Sequence, residues 1–302
     1  KMVDTVLTEG IEILHVHYAI PHAYAAYMAK QILQEKGIYL PVITTLHGTD
    51  ITLVGKHPSY RPAVTFSINQ SDIVTTVSES LKKDTLSSFV IKKEIEVIPN
   101  FIDVKLYDKD PLCDRTQMAP QGEKIVVHIS NMRKVKRIPD IIEAFHKIQE
   151  VIPTILLMIG DGPECELAEQ QAKDLGIFHR VKFLGKTSEI KRLLCMSDLF
   201  LLPSETESFG LVALEAMAAR VPVISSNTGG LPELNVHGKT GYLVDIGDVN
   251  AMAKYGIKLL QDDILLAKFK ENAYQRALEF SIDKIVPMYE GVYHRALGQS
   301  RK

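Results

Sequence analysis

The sequence of 302 residues has few cysteines, little excess charge and no long apolar run. Its three cysteines, Cys113, Cys165 and Cys195, lack the spacing of a metal site, which predicts a reducing compartment and a cytoplasmic location. The formal net charge of −2 indicates no polyanionic partner such as nucleic acid. No apolar run approaches the roughly twenty residues of a membrane span, so we expect no transmembrane segment.

The start of the chain lacks a recognisable signal peptide. Its first residues are typical of the middle of a helix, so we expect the true beginning to be missing from this sequence. The length suits one large or two ordinary α/β domains. Whether the chain forms a homo-oligomer stays open.

Short apolar runs alternate with helical patterns along the first third of the chain, which predicts a parallel sheet in an α/β domain at residues 1–107. The predicted strands are residues 11–17, 41–46, 72–77 and 94–98, and the predicted helices are residues 21–35, 59–70 and 79–89. A doubly wound domain usually has about six strands. Because only these strands are found, we expect the N-terminal domain to be incomplete.

A second alternating series follows a polar segment with several prolines, residues 108–122, which we interpret as a linker. The second domain is predicted at residues 123–280, with strands at residues 124–129, 154–159, 181–184, 199–202, 221–224 and 242–244. The rest of the chain, from residue 248 to the end, is predicted to be helical.

Residues 204–219 place a carboxylate inside an apolar helix, directly after a short strand that is predicted to be buried on both faces. We expect this helix to begin at Phe209, with Ser208 as its N-cap and Gly210 allowing a ligand to approach the backbone. Unpaired amides at such a helix start are a ready site for phosphate.

Two glutamates flank this helix start. Glu207 and Glu215 would lie roughly 12 Å apart if both were helical, which suits an extended ligand with a sugar at one end and a ribose at the other. Glu215 is the one ionisable residue between Phe209 and Ala219, so a hydroxylated or cationic group should meet it if it is buried. The alternative is an ordinary helix with Glu215 at the surface.

A basic segment follows the first predicted strand of the second domain. It contains Arg133, Lys134, Lys136 and Arg137, which could hold a diphosphate and neutralise the charge on a departing nucleotide. The alternative is a solvated basic turn before a helix.

Three short motifs imitate other sites and are rejected. Gly160-Asp-Gly-Pro163 lacks the third glycine of a dinucleotide motif, and Gly238-Lys-Thr240 lacks the upstream glycine of a P-loop. Asp108-Lys-Asp110 has the form of a metal-binding motif but lies in the linker, so no metal site is predicted.

The order of these motifs resembles that of the retaining nucleotide-sugar glycosyltransferases of family four. The residues that carry the resemblance are Glu207-x7-Glu215, with Gly160-Asp-Gly-Pro163 before it and residues 228–233 and 238–243 after it. The resemblance covers essentially the whole chain. It implies the α/β GT-B fold, in which two Rossmann-like domains face each other across a cleft and a C-terminal helix, here residues 281–302, crosses back to the first domain.

The resemblance also implies the donor site. Glu207 would bind the sugar hydroxyls, Glu215 the ribose and Lys136 the diphosphate. The family places an arginine where this chain has Asn131, so Arg133 is offered as its substitute. The implied donor-binding residues are Arg133, Lys136, Gly160, Glu207, Ser208, Phe209, Gly210, Leu211 and Glu215.

Two motifs of the first domain, His15-Val-His-Tyr18 and His47-Gly-Thr-Asp50, are similar to those of the branch that transfers N-acetylglucosamine from UDP-GlcNAc to L-malate for bacillithiol synthesis. The implied catalytic residues are His47, Lys136 and Glu207, and the implied acceptor-binding residues are Tyr18, Thr49, Arg61 and Asn100. No cofactor or metal is implied beyond the UDP-GlcNAc co-substrate.

Two departures from the branch stand out. Relatives carry a basic residue at the position of Thr65, and Arg61, one helical turn away, is offered in its place. Arg220 stands where the family has a glycine. The alternatives are a family-four enzyme with another small or glycan acceptor, a GT-B phosphorylase or sugar-nucleotide epimerase, and a binding protein without activity.

Overall fold

The computed structural model describes residues 1–107 and 113–300, and the chain divides into two compact units. The first unit contains residues 1–101 and the described residues from Asp283 onward, and the second contains residues 102–282. The first residues of the predicted linker, 108–112, lie outside the described residues. They include Asp108 and Asp110 of the rejected metal motif.

The first unit contains a parallel sheet of four strands in the order β1-β2-β3-β4. The strands lie within the predicted segments, at β1 (Leu14–His17), β2 (Val42–Leu46), β3 (Ile73–Thr76) and β4 (Ile95–Val97). All residues of β2 and β3 are buried, as expected for central strands covered by helices on both faces.

The described residues of this unit form the helices α1 (Met2–Glu9), α2 (Tyr24–Gln34), α3 (Arg61–Gln70), α4 (Glu79–Ser88) and α12 (Ile282–Ser300). Ser78 caps α4 by accepting a hydrogen bond from the amide of Leu81 at 3.1 Å. Two π-type turns, Ala19–Ala23 and Thr49–Val54, follow β1 and β2. The sequence patterns predicted no such turn.

The C-terminal helix α12 packs on the first sheet. Ile285, Val292 and Ala296 join the buried cluster of Ile43 and Ile73. Burial of these side chains stabilises the position of α12, because a fully buried isoleucine or valine contributes about 1.5–3 kcal/mol.

The second unit has a parallel sheet of six strands in the order β10-β9-β8-β5-β6-β7. The strands are β5 (Lys124–Ile129), β6 (Thr154–Ile159), β7 (Val181–Gly185), β8 (Leu199–Leu202), β9 (Val223–Ser226) and β10 (Gly241–Val244). Its helices are α5 (Ile138–Gln149), α6 (Cys165–Asp174), α7 (Ile190–Cys195), α8 (Leu211–Ala218), α9 (Leu231–Leu234), α10 (Val249–Leu260) and α11 (Asp263–Glu279). The strand order reverses between β5 and β8, where open α/β sheets bind ligands.

The turn before β9 differs from the expectation in two ways. The strand begins at Val223 rather than residue 221, because Pro222 has no amide proton to donate to a ladder. Arg220 adopts a left-handed conformation with φ 61°, which explains why glycine suits this position. Its guanidinium pairs with Glu271 and lies 3.7 Å from the ring centre of Tyr274, and both contacts offset the backbone strain.

The cysteines also differ from the expectation of a reduced chain. Cys113 and Cys195 form a disulfide across a separation of 82 residues, with their Cα atoms 6.2 Å apart. Cys165 is free. The pairing depends on tertiary proximity, which cysteine spacing alone does not reveal.

No helix among the described residues is both long enough and apolar enough to cross a membrane.

Candidate active site

The loops that follow β5 and β8 contact each other at the switch point of the second sheet. The amide of Glu205 donates to the carbonyl of Val135 at 2.9 Å, which joins the two loops through their main chains. Because β5 and β8 are neighbouring parallel strands, both loops leave the same edge of the sheet. The basic segment and the first glutamate, which are far apart in sequence, therefore lie together.

Lys136 and Glu207 form an ion pair between these loops. The pair is largely buried, with side-chain exposures of 18% and 15%. Ser204, which is fully buried, donates its hydroxyl to the same carboxylate oxygen of Glu207 at 3.2 Å. The sequence patterns did not identify Ser204 as part of the site.

The four cations of the basic segment have different surroundings. Arg137 is bound to Asp140 at 2.6 Å and to Glu205 at 3.0 Å, so its charge is already compensated. Arg133 and Lys134 are exposed and make no ion pair with the described residues. Arg133 and Lys134 therefore carry charges that no described side chain compensates, whereas the charge of Lys136 is shared with Glu207.

Gly160 and Gly229 pack directly against the main chains of the loops after β5 and β8. A Cβ atom at Gly160 would lie 1.8 Å from the carbonyl oxygen of Ser130, and one at Gly229 would lie 2.0 Å from that of Glu207. Main-chain packing thus requires glycine at position 160, and the predicted contact of Gly160 with the donor stays a prediction.

The helix starts two residues later than predicted. Helix α8 begins at Leu211 after Gly210, which has φ 92°, and Ser208 does not cap it. Phe209 is buried before the helix rather than inside it. A Cβ atom at Gly210 would also lie 2.7 Å from Leu231, so glycine is required by the turn and by packing.

Glu215 is half-buried and meets a hydroxyl group, as its burial requires. The phenol of Tyr107 hydrogen-bonds to the carboxylate. Burial raises the pKa of Glu215, while the bond from Tyr107 and the charge of Lys191 lower it. Burial and the nearby carboxylate raise the pKa of Tyr107. Neither Tyr107 nor Lys191 was signalled by a sequence motif.

The histidine motifs of the first unit lie at the ends of β1 and β2. The Nδ1 atom of His17 is 2.8 Å from Nε2 of His47, and the ring centres of Tyr18 and His47 are 5.1 Å apart. His15 contacts Thr45 at 2.7 Å and Tyr293 of α12 at 2.8 Å. Burial, followed by the neighbouring histidines, lowers the pKa of both His15 and His47 to about 4.

Asp50 fixes the loops after β1 and β2. It is 2% exposed and accepts hydrogen bonds from the amides of Ala19 at 2.8 Å and Gly48 at 3.1 Å. Burial raises its pKa, and these amides oppose the shift. Asp50 therefore holds the main chain beside Tyr18 and His47 in place.

The other predicted acceptor residues are more dispersed. Thr49 is exposed at the start of its turn, and Asn100 is half-buried after β4. Arg61 begins α3 and donates to the carbonyl of Ser88 at 2.6 Å. Thr65 donates its hydroxyl to the carbonyl of Arg61 at 2.8 Å.

The residues that the structure describes contain no group of three or more His, Cys, Asp or Glu side chains placed to hold a metal ion.

Two family models match the chain along nearly its whole length. The model of glycosyl transferases group 1 matches residues 114–276, and the model of glycosyltransferase family 4 matches residues 1–106. The chain belongs to the group 1 glycosyltransferases. It is therefore an enzyme of the transferase class, as the motifs predicted.

This glycosyltransferase is 47% identical to the N-acetyl-alpha-D-glucosaminyl L-malate synthase of Bacillus anthracis, over 98% of this chain and 78% of that protein. An uncharacterized glycosyltransferase of Methanocaldococcus jannaschii is 29% identical over 95% of this chain and 76% of its own length. The family-four resemblance inferred from the motifs is thus confirmed.

Solved structures confirm the GT-B fold of this glycosyltransferase. The Anabaena protein HepE in complex with UDP has a TM-score of 0.85 at 23% identity, covering 97% of this chain and 81% of that one. Sucrose-phosphate synthase from Thermosynechococcus elongatus has a TM-score of 0.81 at 21% identity, covering 99% and 77%. At these identities the likeness concerns the fold alone.

Proposed function

We propose that this glycosyltransferase moves N-acetylglucosamine from UDP-GlcNAc to the hydroxyl of L-malate, with retention of configuration and without a metal. The similarity to the malate synthase over nearly the whole chain carries the proposal. The product would serve bacillithiol synthesis. We place the reaction in the cytoplasm because of the similarity to the malate synthase, and not because of the cysteines, two of which are paired.

The second unit would bind the donor. Lys136 supplies a positive charge for the diphosphate, and Arg133 is exposed nearby in sequence without an ion pair among the described residues. Glu207, with one oxygen bound by Ser204, supplies acceptors for sugar hydroxyls. Glu215 would exchange the hydroxyl of Tyr107 for a ribose hydroxyl, which makes the same kind of hydrogen bond.

The first unit would bind the acceptor through Tyr18, His47, Thr49, Arg61 and Asn100. His47 is neutral near pH 7, because its pKa of about 4 lies well below that pH. It therefore offers a hydrogen bond rather than a charge. A cation is still needed to hold the malate carboxylates, and we assign that role to Arg61.

The reaction would follow a front-face path. The bond between the anomeric carbon and the diphosphate oxygen breaks, and its electron pair leaves on UDP. Lys136 stabilises the charge that develops there, which is worth more in a water-poor site than in bulk water. The malate hydroxyl attacks from the same face, and its proton passes to the departing phosphate.

A second candidate is a different small hydroxylated acceptor. It is favoured by the surroundings of Arg61, whose guanidinium already binds the carbonyl of Ser88, and by the uncharged Thr65 one turn later. The donor chemistry would be unchanged.

The proposal is tested by incubating the protein with UDP-GlcNAc and L-malate and measuring UDP release and product mass. We expect UDP and GlcNAc-malate in equal amounts, also in the presence of EDTA. Succinate, which has the same carboxylates but no hydroxyl, is the matched control and should give no product.

Each other outcome contradicts a named part of the proposal. UDP release that does not depend on malate would indicate hydrolysis, and isomerised UDP-sugar without UDP release would indicate an epimerase. Transfer to another hydroxy acid but not to malate would favour the second candidate. Loss of activity with EDTA that returns on adding a divalent cation would refute metal independence.

A further inference from the structure

A buried histidine of the second unit has no role in the reaction as described so far. His128 lies in β5 and is 0% exposed. Its Nδ1 atom is 2.9 Å from the carbonyl oxygen of Leu201 in β8, and its Nε2 atom is 2.8 Å from the hydroxyl of Ser130. The imidazole therefore connects the two strands on either side of the switch point.

The surroundings of this imidazole fix the direction of every hydrogen bond. A carbonyl can only accept, so Nδ1 of His128 carries a proton and donates to Leu201. Burial and the nearby charge of Lys136 lower the pKa of His128 to about 4, so the ring is neutral and Nε2 accepts. Ser130 must then donate to His128, which leaves its oxygen to accept from the amide of Met132 at 3.0 Å.

This chain of hydrogen bonds begins and ends beside the donor-binding loops. Met132 is fully buried, with φ 35°, and immediately precedes Arg133 and the turn Lys134–Lys136. Leu201 lies three residues before Ser204, which holds Glu207. The imidazole thus acts on the positions of both loops without reaching a ligand itself.

We propose that His128 is a positioning residue for donor binding, which holds the loop of Lys136 and the loop of Glu207 at the spacing required to bind one UDP-sugar. The inference rests on the proposed function, since it assigns the donor to these loops. A polar residue that only stabilised the core would have no particular effect on the donor.

Two substitutions of His128 each keep one of the two hydrogen bonds of the imidazole. In His128→Asn the side-chain amide reaches the place of Nδ1 and can still donate to Leu201, but the acceptor for Ser130 is lost. In His128→Gln the longer side chain brings an amide oxygen to the place of Nε2 and can still accept from Ser130. A third variant, Ser130→Ala, removes the hydroxyl from the other side.

The experiment measures the Kd of UDP by calorimetry and the KM of donor and acceptor for the full chain and each variant. We expect His128→Asn and Ser130→Ala to weaken UDP binding and raise the donor KM about 3- to 10-fold, the effect of losing a neutral hydrogen bond. His128→Gln, which loses the hydrogen bond to Leu201, should weaken UDP binding to a similar extent, and the acceptor KM should not change in any of the variants.

Ser197→Ala is the matched control. Ser197 is also buried in the second unit, but within the described part of the chain its hydroxyl bonds to the carbonyl of Leu193 alone, at 2.8 Å. We expect it to lower the melting temperature without changing UDP affinity.

The inference is overturned if Ser130→Ala binds UDP as tightly as the unmodified protein, or if either His128→Asn or His128→Gln does. It is also overturned if donor and acceptor KM rise together. Should the His128 variants fail to fold, Ser130→Ala decides alone. Failure of the unmodified protein to bind UDP would refute the proposed donor site itself, and this inference with it.

Discussion

Replacement of Lys136 by alanine is the most direct test of the donor site. The variant removes the positive charge that pairs with Glu207 and that we assign to the diphosphate. A hydrogen bond to a charged group contributes about 1.5–3 kcal/mol. At about 1.4 kcal/mol per factor of ten, the Kd of UDP should rise about 10- to 150-fold.

The ion pair predicts a second effect on binding, because the phosphate of UDP and the carboxylate of Glu207 compete for Lys136. In Glu207→Gln this competition is removed, so UDP alone should bind as tightly as before or more tightly. UDP-GlcNAc should bind more weakly than to the unmodified protein, since its sugar loses a charged acceptor. Opposite effects on the two ligands would be difficult to explain by general destabilisation.

Isothermal calorimetry with UDP and UDP-GlcNAc measures both effects, and melting temperatures show whether the variants are folded. Lys134→Ala is the control: it removes the same charge from the same turn, but the side chain is exposed and unpaired among the described residues. We expect a change of about threefold or less there, the scale of an exposed charge interaction. UDP affinity that is equal in Lys136→Ala and the unmodified protein would refute the assignment.

Three further predictions concern the acceptor, pH and the disulfide. Arg61→Ala should raise the acceptor KM and leave the donor KM unchanged. The control Lys83→Ala, which removes an exposed charge on α4, should change neither KM. Equal effects of Arg61→Ala on both KM values would contradict the role of Arg61 in acceptor binding. Because the pKa of His15 and of His47 is lowered from 6.5 to about 4, the unfolded state binds more protons between these values. The free energy of unfolding should therefore fall as the pH falls from about 6.5 to about 4, with a smaller slope in His15→Gln, as chemical denaturation at each pH can measure. Reduction of the Cys113–Cys195 bond, which closes a separation of 82 residues, should lower the free energy of unfolding by up to about 4.5 kcal/mol. Mass labelling of the unreduced, denatured protein should find the single free thiol of Cys165, and three free thiols would show that the bond is absent.

The strands of both sheets could be predicted because they are short apolar runs buried on both faces. For β5 and β6 the predicted and observed bounds agree at Lys124–Ile129 and Thr154–Ile159. The spacing of Glu207 and Glu215 likewise identified the segment at the switch point, because the order of strands and loops along the chain places it there.

The details of the site could not be predicted, because they depend on contacts between distant segments. The start of α8 is set by the left-handed conformation of Gly210 and by its packing against Leu231. The N-cap preference of serine, on which the prediction of Ser208 is based, contains no information on either. The hydroxyl that meets Glu215 comes from Tyr107, which precedes it by more than a hundred residues and belongs to no motif. Burial predicted the need for such a group but not its source.

The packing of Gly160 against Ser130 and of Gly229 against Glu207 has a consequence for attempts to change the sugar that this enzyme accepts. At either glycine even one added carbon would collide with a main-chain oxygen, so the loop in front would have to shift as a whole. A library aimed at new donors should therefore keep both glycines fixed. Variants at the two glycines would lose the binding surface before they could alter its preference.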